Sequence, residues 1–77
     1  MRDRGSVVII ENNHVALIKR VRDGCVYYVF PGGGIEQGET PEFAAKREAY
    51  EELGVDVEIH ECIAKVEFNG VQTFFLS

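Results

Sequence analysis

The sequence predicts an α/β domain of the α+β kind, in which one helix covers one face of a β-sheet. Short β-branched segments separated by turn residues flank a single long segment that is rich in helix-forming residues. The predicted order is three strands, a glycine-rich loop, the helix and two further strands. The second face of such a sheet normally needs a cover of its own.

The first three strands are predicted from β-branched segments and the turns between them. Asn12 to His14 predict the turn of a hairpin, because asparagine tolerates turn conformations. The polar segment 21–24 ends in glycine and predicts a loop. We expect Pro31 and the three glycines after it to end regular structure. The strands are predicted over 6–11, 15–20 and 26–30.

The helix is predicted from Thr40, the expected N-cap, through Pro41 at the first helical position to Leu53. Gly54 stands where a C-capping glycine belongs. After an alternating segment, 55–59, a strand is expected from Cys62 to Phe68. Asn69 and Gly70 form a strong hairpin signal, and the returning strand is predicted over 71–76.

Length and charge limit the classes of protein. A chain of 77 residues allows one domain, 1–77, with a marginal core. The net charge is −5 and no basic patch is visible, so we expect no duplex nucleic acid as partner. A bridging divalent cation could still bind an anionic substrate to acidic residues.

Cellular context is predicted from what the sequence lacks. It shows no signal peptide and no apolar segment of membrane-spanning length, so we expect a cytoplasmic protein without a membrane partner. Cys25 and Cys62 are then expected to be reduced thiols that behave as small buried apolar residues.

Three glutamates share one face of the predicted helix. Glu48, Glu51 and Glu52 stand at i, i+3 and i+4, where like charges destabilise a helix by about 0.2–0.5 kcal/mol per pair. The functional interpretation is a site for Mg²⁺ or Mn²⁺, which prefer oxygen ligands. The alternative is a solvated acidic face. The glycines just before the helix favour the metal site, since glycine allows close backbone approach.

The spacing of these residues resembles the Nudix box, G-x5-E-x7-R-E-U-x-E-E-x-G-U, where U is apolar. The match runs from Gly33 to Val55, and only Ala49, which is small for an apolar position, is a weak match. Phe30 and Pro31 ahead of the glycines are also typical of this family. The strand order fits too, so the resemblance covers nearly the whole chain.

The resemblance implies an enzyme that hydrolyses a nucleoside diphosphate linked to another moiety. Glu51 and Glu52 match glutamates that ligate the metal, and Glu48 matches a glutamate that contacts metal and is proposed as the base in some members. Arg47 matches an arginine that orients the glutamates. The resemblance also implies that Gly32 or Gly33 offers a carbonyl to the metal.

Substrate contacts are expected from the same loop and from an earlier strand. Gly33, Gly34 and Glu39 belong to the loop that holds the diphosphate, with Glu39 helping to fix the loop. Arg20 and Arg22 are candidates for phosphate contact, or else form a charged edge that discourages strand pairing.

Aromatic and histidine side chains are the remaining candidates for a functional role. One ring among Tyr27, Tyr28 and Phe30 could stack on a nucleobase, although core packing is the simpler interpretation. His14 and His60 show no ligand spacing and are expected to be exposed without a role.

The sequence departs from the family in length, because the family's C-terminal strands and second helix are not in it. We expect either that the chain is the N-terminal portion of the domain or that a second copy, in a homodimer, supplies the cover. Three functions stay open: a magnesium-dependent hydrolase of a nucleotide-type small molecule, a nucleotide-binding sensor and a structural fragment. The sequence does not name the nucleotide derivative.

Overall fold

The structure, a computed structural model, describes residues 2–67 and 69–77. Phe68, the expected last residue of a strand, lies outside them. The elements are β1 (Arg4–Val8), β2 (Ile10–Glu11), β3 (His14–Val15), β4 (Ile18–Arg22), β5 (Cys25–Val29), β6 (Gly32–Gly34), α1 (Pro41–Leu53), β7 (Glu61–Glu67) and β8 (Val71–Leu76).

Four strands form the main sheet in the order β6-β1-β8-β7. β1 and β8 are parallel, whereas β6 and β7 each run antiparallel to their neighbour, so the sheet is mixed. β1 lies between the glycine strand and the last strand of the chain, with Gly5 opposite Gly33 and Ser6 opposite Phe74. The predicted fold class, a mixed sheet with one helix on one face, is confirmed.

The first two predicted strands are each interrupted. β1 ends at Val8, and the short strands β2 and β3 form a hairpin whose two turn residues, Asn12 and Asn13, both have positive φ (53° and 63°). Such a turn suits the twist of a two-residue hairpin. The predicted hairpin turn at the asparagines is therefore correct, but the strands beside it are shorter than expected.

A second hairpin joins β4 to β5. The predicted loop 21–24 is wrong in extent, because β4 continues to Arg22 and pairs there with Cys25. Asp23 and Gly24 both have positive φ (50° and 78°), so two residues suffice to reverse the chain.

The prediction that the glycines end regular structure is wrong. Gly32 to Gly34 form β6, antiparallel to β1. A Cβ on Gly32 would lie 2.6 Å from the Cα of Ser6, so only glycine allows the two backbones this close. The segment 55–59 is not a strand, and instead Val57 turns its side chain into the core.

The helix α1 has the predicted bounds and caps. The Thr40 hydroxyl accepts a hydrogen bond from the Phe43 amide at 3.1 Å, and Gly54 ends the helix with φ 71° while its amide donates to the Tyr50 carbonyl at 2.8 Å. The buried face of α1 consists of small side chains, Ala44, Ala45 and Ala49. These alanines let the helix lie directly on the sheet.

The hydrophobic core lies between α1 and the sheet. Val7 on β1 is fully buried at its centre, against Ala45 and Ala49 of the helix, Val57 and Phe75. On the opposite face of the sheet, the Phe30 and Phe74 rings meet edge to face with centroids 6.0 Å apart.

The strands away from α1 leave many side chains exposed. Cys25 and Cys62 are exposed, so the expectation that they are buried is wrong; they lie on β5 and on the edge strand β7, which the helix does not cover. Within the part of the chain that the structure describes, no helix is both long and apolar enough to cross a membrane.

Truncating Val7 to alanine should destabilise the fold by about 1.5–3 kcal/mol, because two buried methyl groups are lost and a cavity remains between α1 and β1. Val26→Ala is the matched control, since Val26 is 54% exposed on β5 and its truncation should change stability by less than about 0.5 kcal/mol. Urea unfolding of both variants measures the difference. Equal losses would mean that Val7 is not the centre of the core.

Candidate functional site

The glutamates of α1 face the glycine strand. Glu48 and Glu52 are largely buried, with side chains 20% and 17% exposed, whereas Glu51 is more than half exposed. Glu48 packs directly on Gly33: a Cβ placed there would lie 2.8 Å from Glu48 Cγ and closer still to the carboxylate. Gly33 is therefore required for Glu48 to reach its position.

Glu52 is held between two strands. Its Oε1 accepts a hydrogen bond from the Gly32 amide at 2.9 Å, and its Oε2 accepts one from Arg20 Nη2, also at 2.9 Å. Both oxygens of this carboxylate therefore have a donor from the sheet side of the site. Hydrogen bonds to an ionised group are stronger than neutral ones, so this pair of contacts fixes the side chain well.

Arg47 connects the helix to the loop that precedes it. Its guanidinium donates to both carboxylate oxygens of Glu39, from Nε and, at 2.9 Å, from Nη2. Nη2 also donates to the Gly34 carbonyl at 3.1 Å, and Nη1 reaches Glu51 at 3.3 Å and Glu48 at 3.7 Å. One arginine thereby aligns two of the three helix glutamates with the glycine strand.

Glu39 is the loop's main acceptor. Its Oε1 also accepts the Glu36 amide at 2.8 Å. The hydrogen bonds from Arg47, followed by the one from the Glu36 backbone, lower the pKa of Glu39 to about 2. The carboxylate stays ionised at any ordinary pH, and the expectation that Glu39 fixes the loop has this geometric basis.

The pKa of Glu48 is shifted in the opposite direction from that of Glu39. Burial raises its pKa, and its hydrogen-bonding contact with Glu51 adds to the rise, against the opposing effect of Arg47. Glu52 contributes further repulsion from the next turn. Negative charge is therefore concentrated where α1 meets Gly33, and a bound cation would relieve it.

The three glutamates do not form a ready-made metal cage. Across residues 2–67 and 69–77, no group of three or more His, Cys, Asp or Glu side chains has metal-holding geometry. Glu52 instead forms an ion pair with Arg20, and Glu51 forms one with Arg47. The donor set of carboxylates beside a glycine backbone nevertheless fits a hard divalent cation.

The substrate-binding candidates differ in whether a protein partner already engages them. Arg20 lies on Glu52, whereas Arg22, two residues further along β4, forms no ion pair with any residue that the structure describes. The Gly34 carbonyl is engaged by Arg47. The amide of Gly32, the residue expected to offer its carbonyl to a metal, donates to Glu52.

Two of the three aromatic candidates, Tyr28 and Phe30, lie beside the face of the main sheet opposite α1. Tyr28 and Phe30 line a cavity of about 270 Å³ together with Phe74, Gln72 and Arg4. Tyr27 is exposed on the same strand. His14 and His60 are exposed, as expected, and His14 Nδ1 lies 2.8 Å from the Asn12 carbonyl oxygen of its own hairpin.

Two supports of the site were missed by the sequence analysis. A Cβ on Gly5 would lie 3.3 Å from the Ala45 amide and closer still to the Pro41 carbonyl, so Gly5 permits the contact between β1 and the first turn of α1. Asp3 accepts the Val71 amide through its side chain and the Ile35 amide through its carbonyl, both at 2.9 Å. An isolated glycine and a terminal aspartate carry no motif that would have shown these roles.

Comparison with known proteins decides the family. The model of the NUDIX domain matches residues 1–76. The chain belongs to the Nudix family. The segment expected to be the Nudix box, 33–55, contains the end of β6, the loop after it and α1 in this fold.

Curated relatives match the region around the Nudix box. An RNA pyrophosphohydrolase of Vibrio atlanticus is 48% identical over 48 residues, which are 62% of this chain and 28% of that protein. The 8-oxo-dGTP diphosphatase of Escherichia coli is 40% identical over 60 residues, 75% of this chain and 46% of that protein. The aligned regions thus cover less than half the length of each of these relatives.

Solved structures share the fold. A NUDIX hydrolase from Nitrosomonas europaea superposes with a TM-score of 0.81 at 22% identity, covering 97% of this chain and 55% of that one. The ORF135 protein of E. coli superposes with a TM-score of 0.76 at 24% identity, covering 97% and 57%. At these identities the likeness shows the fold alone.

Stability should depend on the ionisation of Glu39. Because its pKa is lowered from 4.5 to about 2 on folding, its contribution is fully present above about pH 4.5 and is lost as pH falls towards 2. The free energy of unfolding of the wild type should therefore exceed that of Glu39→Gln at neutral pH, and the gap should shrink below pH 4.5. Urea unfolding at a series of pH values measures it.

Glu58→Gln is the matched control, since Glu58 is exposed and lies outside the Arg47 network. Its difference from the wild type should not follow the same pH course. A gap for Glu39→Gln that is unchanged down to pH 2 would contradict the assigned interaction.

Proposed function

We propose that this Nudix chain belongs to a Mg²⁺- or Mn²⁺-dependent hydrolase that cleaves the diphosphate linkage of a nucleoside diphosphate derivative. The observation that carries the proposal is the packing of Glu48 and Glu52 of α1 against the strand Gly32–Gly34. The names of the relatives, a pyrophosphohydrolase and a diphosphatase, support the same bond type.

Glu48, Glu51 and Glu52 would hold the cation, with a carbonyl of the glycine strand as a further ligand. A divalent cation there supplies neutralisation of phosphate charge and a water of lowered pKa. The high density of negative charge on this helix face supports the assignment, since without a counterion it only destabilises α1.

The remaining residues of the box would orient the reacting groups. Arg47 holds Glu51 and Glu39 in fixed relation, so its proposed role is to position carboxylates rather than to touch substrate. Glu48 is the candidate to accept the proton of the attacking water at a carboxylate oxygen. Its contact with Gly33 would keep that oxygen at the mouth of the diphosphate loop.

The nucleotide would extend from the glycine strand, where its phosphates bind, to the cavity beside Tyr28, where its base binds. Arg20 and Arg22 of β4 are candidates for the phosphates, with Gly33 and Gly34 beside them. The cavity lined by Tyr28, Phe30 and Phe74 offers rings on which a nucleobase could stack. Two substrate chemistries deserve testing because relatives are named for them: an RNA end and 8-oxo-dGTP.

Glu52→Gln should reduce Mg²⁺-dependent hydrolysis about 100-fold or more, because a neutral amide is a poor ligand for a hard cation. The full-length protein is incubated with 8-oxo-dGTP, 5′-triphosphate RNA and a set of nucleoside diphosphate derivatives, and released phosphate or pyrophosphate is followed. Glu42→Gln is the matched control, since Glu42 is exposed in the first turn of the same helix. It should retain the wild-type rate.

The controls also separate enzyme from sensor. Hydrolysis that disappears with EDTA and in Glu52→Gln but persists in Glu42→Gln supports the proposal. Tight nucleotide binding without turnover across the whole set would favour the sensor, and equal activity in both glutamine variants would contradict the assigned cation site.

Gly33→Ala should abolish most activity while the protein stays folded. The added Cβ would overlap the Glu48 carboxylate, which can swing away at little cost because it is the end of a flexible side chain. Gly24→Ala is the control for an alanine at a glycine position: its Cβ would meet nothing within 4 Å, although φ +78° costs about 1–2 kcal/mol. Circular dichroism checks the fold, and unchanged hydrolysis in Gly33→Ala would show that the position of Glu48 is irrelevant.

A further inference from the structure

We propose that Arg20 is the internal counterion of the cation site: it neutralises Glu52 when no cation is bound and is displaced when one binds. The inference rests on the proposed function, because it concerns the same carboxylate. It adds a residue outside the Nudix box, from a different strand, that sets how tightly the box binds its cation.

The geometry of Glu52 carries the argument. Each of its two oxygens accepts one strong donor, Gly32 N–H on one side and the Arg20 guanidinium on the other, both at 2.9 Å. The Gly32 amide is part of β6 and cannot leave without disturbing the sheet. Arg20 is the exchangeable partner, since its side chain is 43% exposed and Glu52 is its only ion-pair partner among the described residues.

Arg47 is held more firmly than Arg20 and is not readily released. Its guanidinium is bound at both oxygens of Glu39 and at the Gly34 carbonyl, and its side chain is 22% exposed. A cation arriving at the helix face would break several bonds to move Arg47, but only one to move Arg20. The site therefore contains one fixed arginine and one that can be released.

Electrostatic repulsion between the cation and Arg20 favours the release of Arg20. A divalent cation lies about 2.0–2.6 Å from the carboxylate oxygens that ligate it. A cation on Glu52 Oε2 would thus sit within a few ångströms of the Arg20 guanidinium, where like charges repel strongly in a partly buried site. Glu52 cannot serve both at full strength, so cation binding and the Arg20 ion pair compete.

Titration with Mn²⁺ alone tests the competition without any substrate. Free Mn²⁺ is followed by its electron paramagnetic resonance signal at about 0.15 M salt, where charges more than about 8 Å away are screened. Arg20→Gln in the full-length protein should bind Mn²⁺ about two- to fivefold more tightly than the wild type, the range expected when a partly exposed ion pair no longer competes. Arg20→Lys, which keeps the charge, should stay close to the wild type.

Lys19→Gln is the matched control, because it removes the same charge one residue away on β4, and alternation along a strand places that side chain on the other face. It should leave Mn²⁺ affinity unchanged. A purely structural Arg20, needed to hold Glu52 in place, would give the opposite sign: Arg20→Gln would then bind Mn²⁺ more weakly.

A second measurement uses the unaltered sequence. The side-chain Nε resonance of Arg20 should shift as Mg²⁺ is added, while that of Arg47 stays near its starting position. Mn²⁺ binding that is equal or weaker in Arg20→Gln, or an Arg20 resonance unmoved at saturating Mg²⁺, would overturn this inference and leave the cation site standing. A wild-type protein that binds no Mn²⁺ would overturn the proposed function and this inference together.

Discussion

The close approach of α1 to the strand Gly32–Gly34 is the contact on which the rest of the site depends. It needs small residues on both sides: alanines on the buried face of the helix, and glycines at positions 5, 32 and 33 where the sheet meets the helix or itself. A side chain at Gly5 would hold the helix away from the sheet, and one at Gly33 would displace the Glu48 carboxylate. Glu48 and Glu52 would then project into solvent rather than against a backbone. The geometry of the box is thus set by the absence of side chains as much as by the glutamates.

Charge is the second constraint. Burial raises the pKa of Glu48, and its neighbours Glu51 and Glu52 are of like sign, whereas Arg47 is committed mainly to Glu39. A helix selected for stability alone would carry lysine or arginine four residues after a glutamate. In this chain Glu48 is instead repelled by the neighbouring glutamates, whereas Glu39 is strongly paired with Arg47. Such a split between a stabilised and a destabilised carboxylate is typical of functional sites.

The sequence predicted the parts of the fold that depend on local chemistry. Thr40, Pro41 and Gly54 define the helix because capping is decided within a few residues, and the asparagine turn was found for the same reason. The glycine strand was missed because Gly32 to Gly34 have no local preference for a strand. Only the pairing with β1, far away in sequence, orders them. Cys25 and Cys62 were misplaced for a related reason, since their exposure depends on which strands the helix covers.

In the site, too, local features were predictable from the sequence and long-range contacts were not. The spacing within the box placed Glu48, Glu51 and Glu52 on one helical face, and it named Arg47 and Glu39, because those residues are close in sequence or fixed by the motif. The contact of Arg20 with Glu52 spans 32 positions and follows from no periodicity. It arises only in the tertiary fold, which brings the Arg20 guanidinium of β4 to the Glu52 carboxylate of α1.

This long-range ion pair changes how the acidic face should be understood. Three glutamates without a counterion would bind any available cation with little selectivity. At the proposed cation site, the Arg20 guanidinium bound to Glu52 would make each incoming ion compete, so weakly binding ions would be excluded while Glu52 keeps its orientation. Arg20 suits this proposed role because it is always charged and because its partly exposed side chain costs little to move.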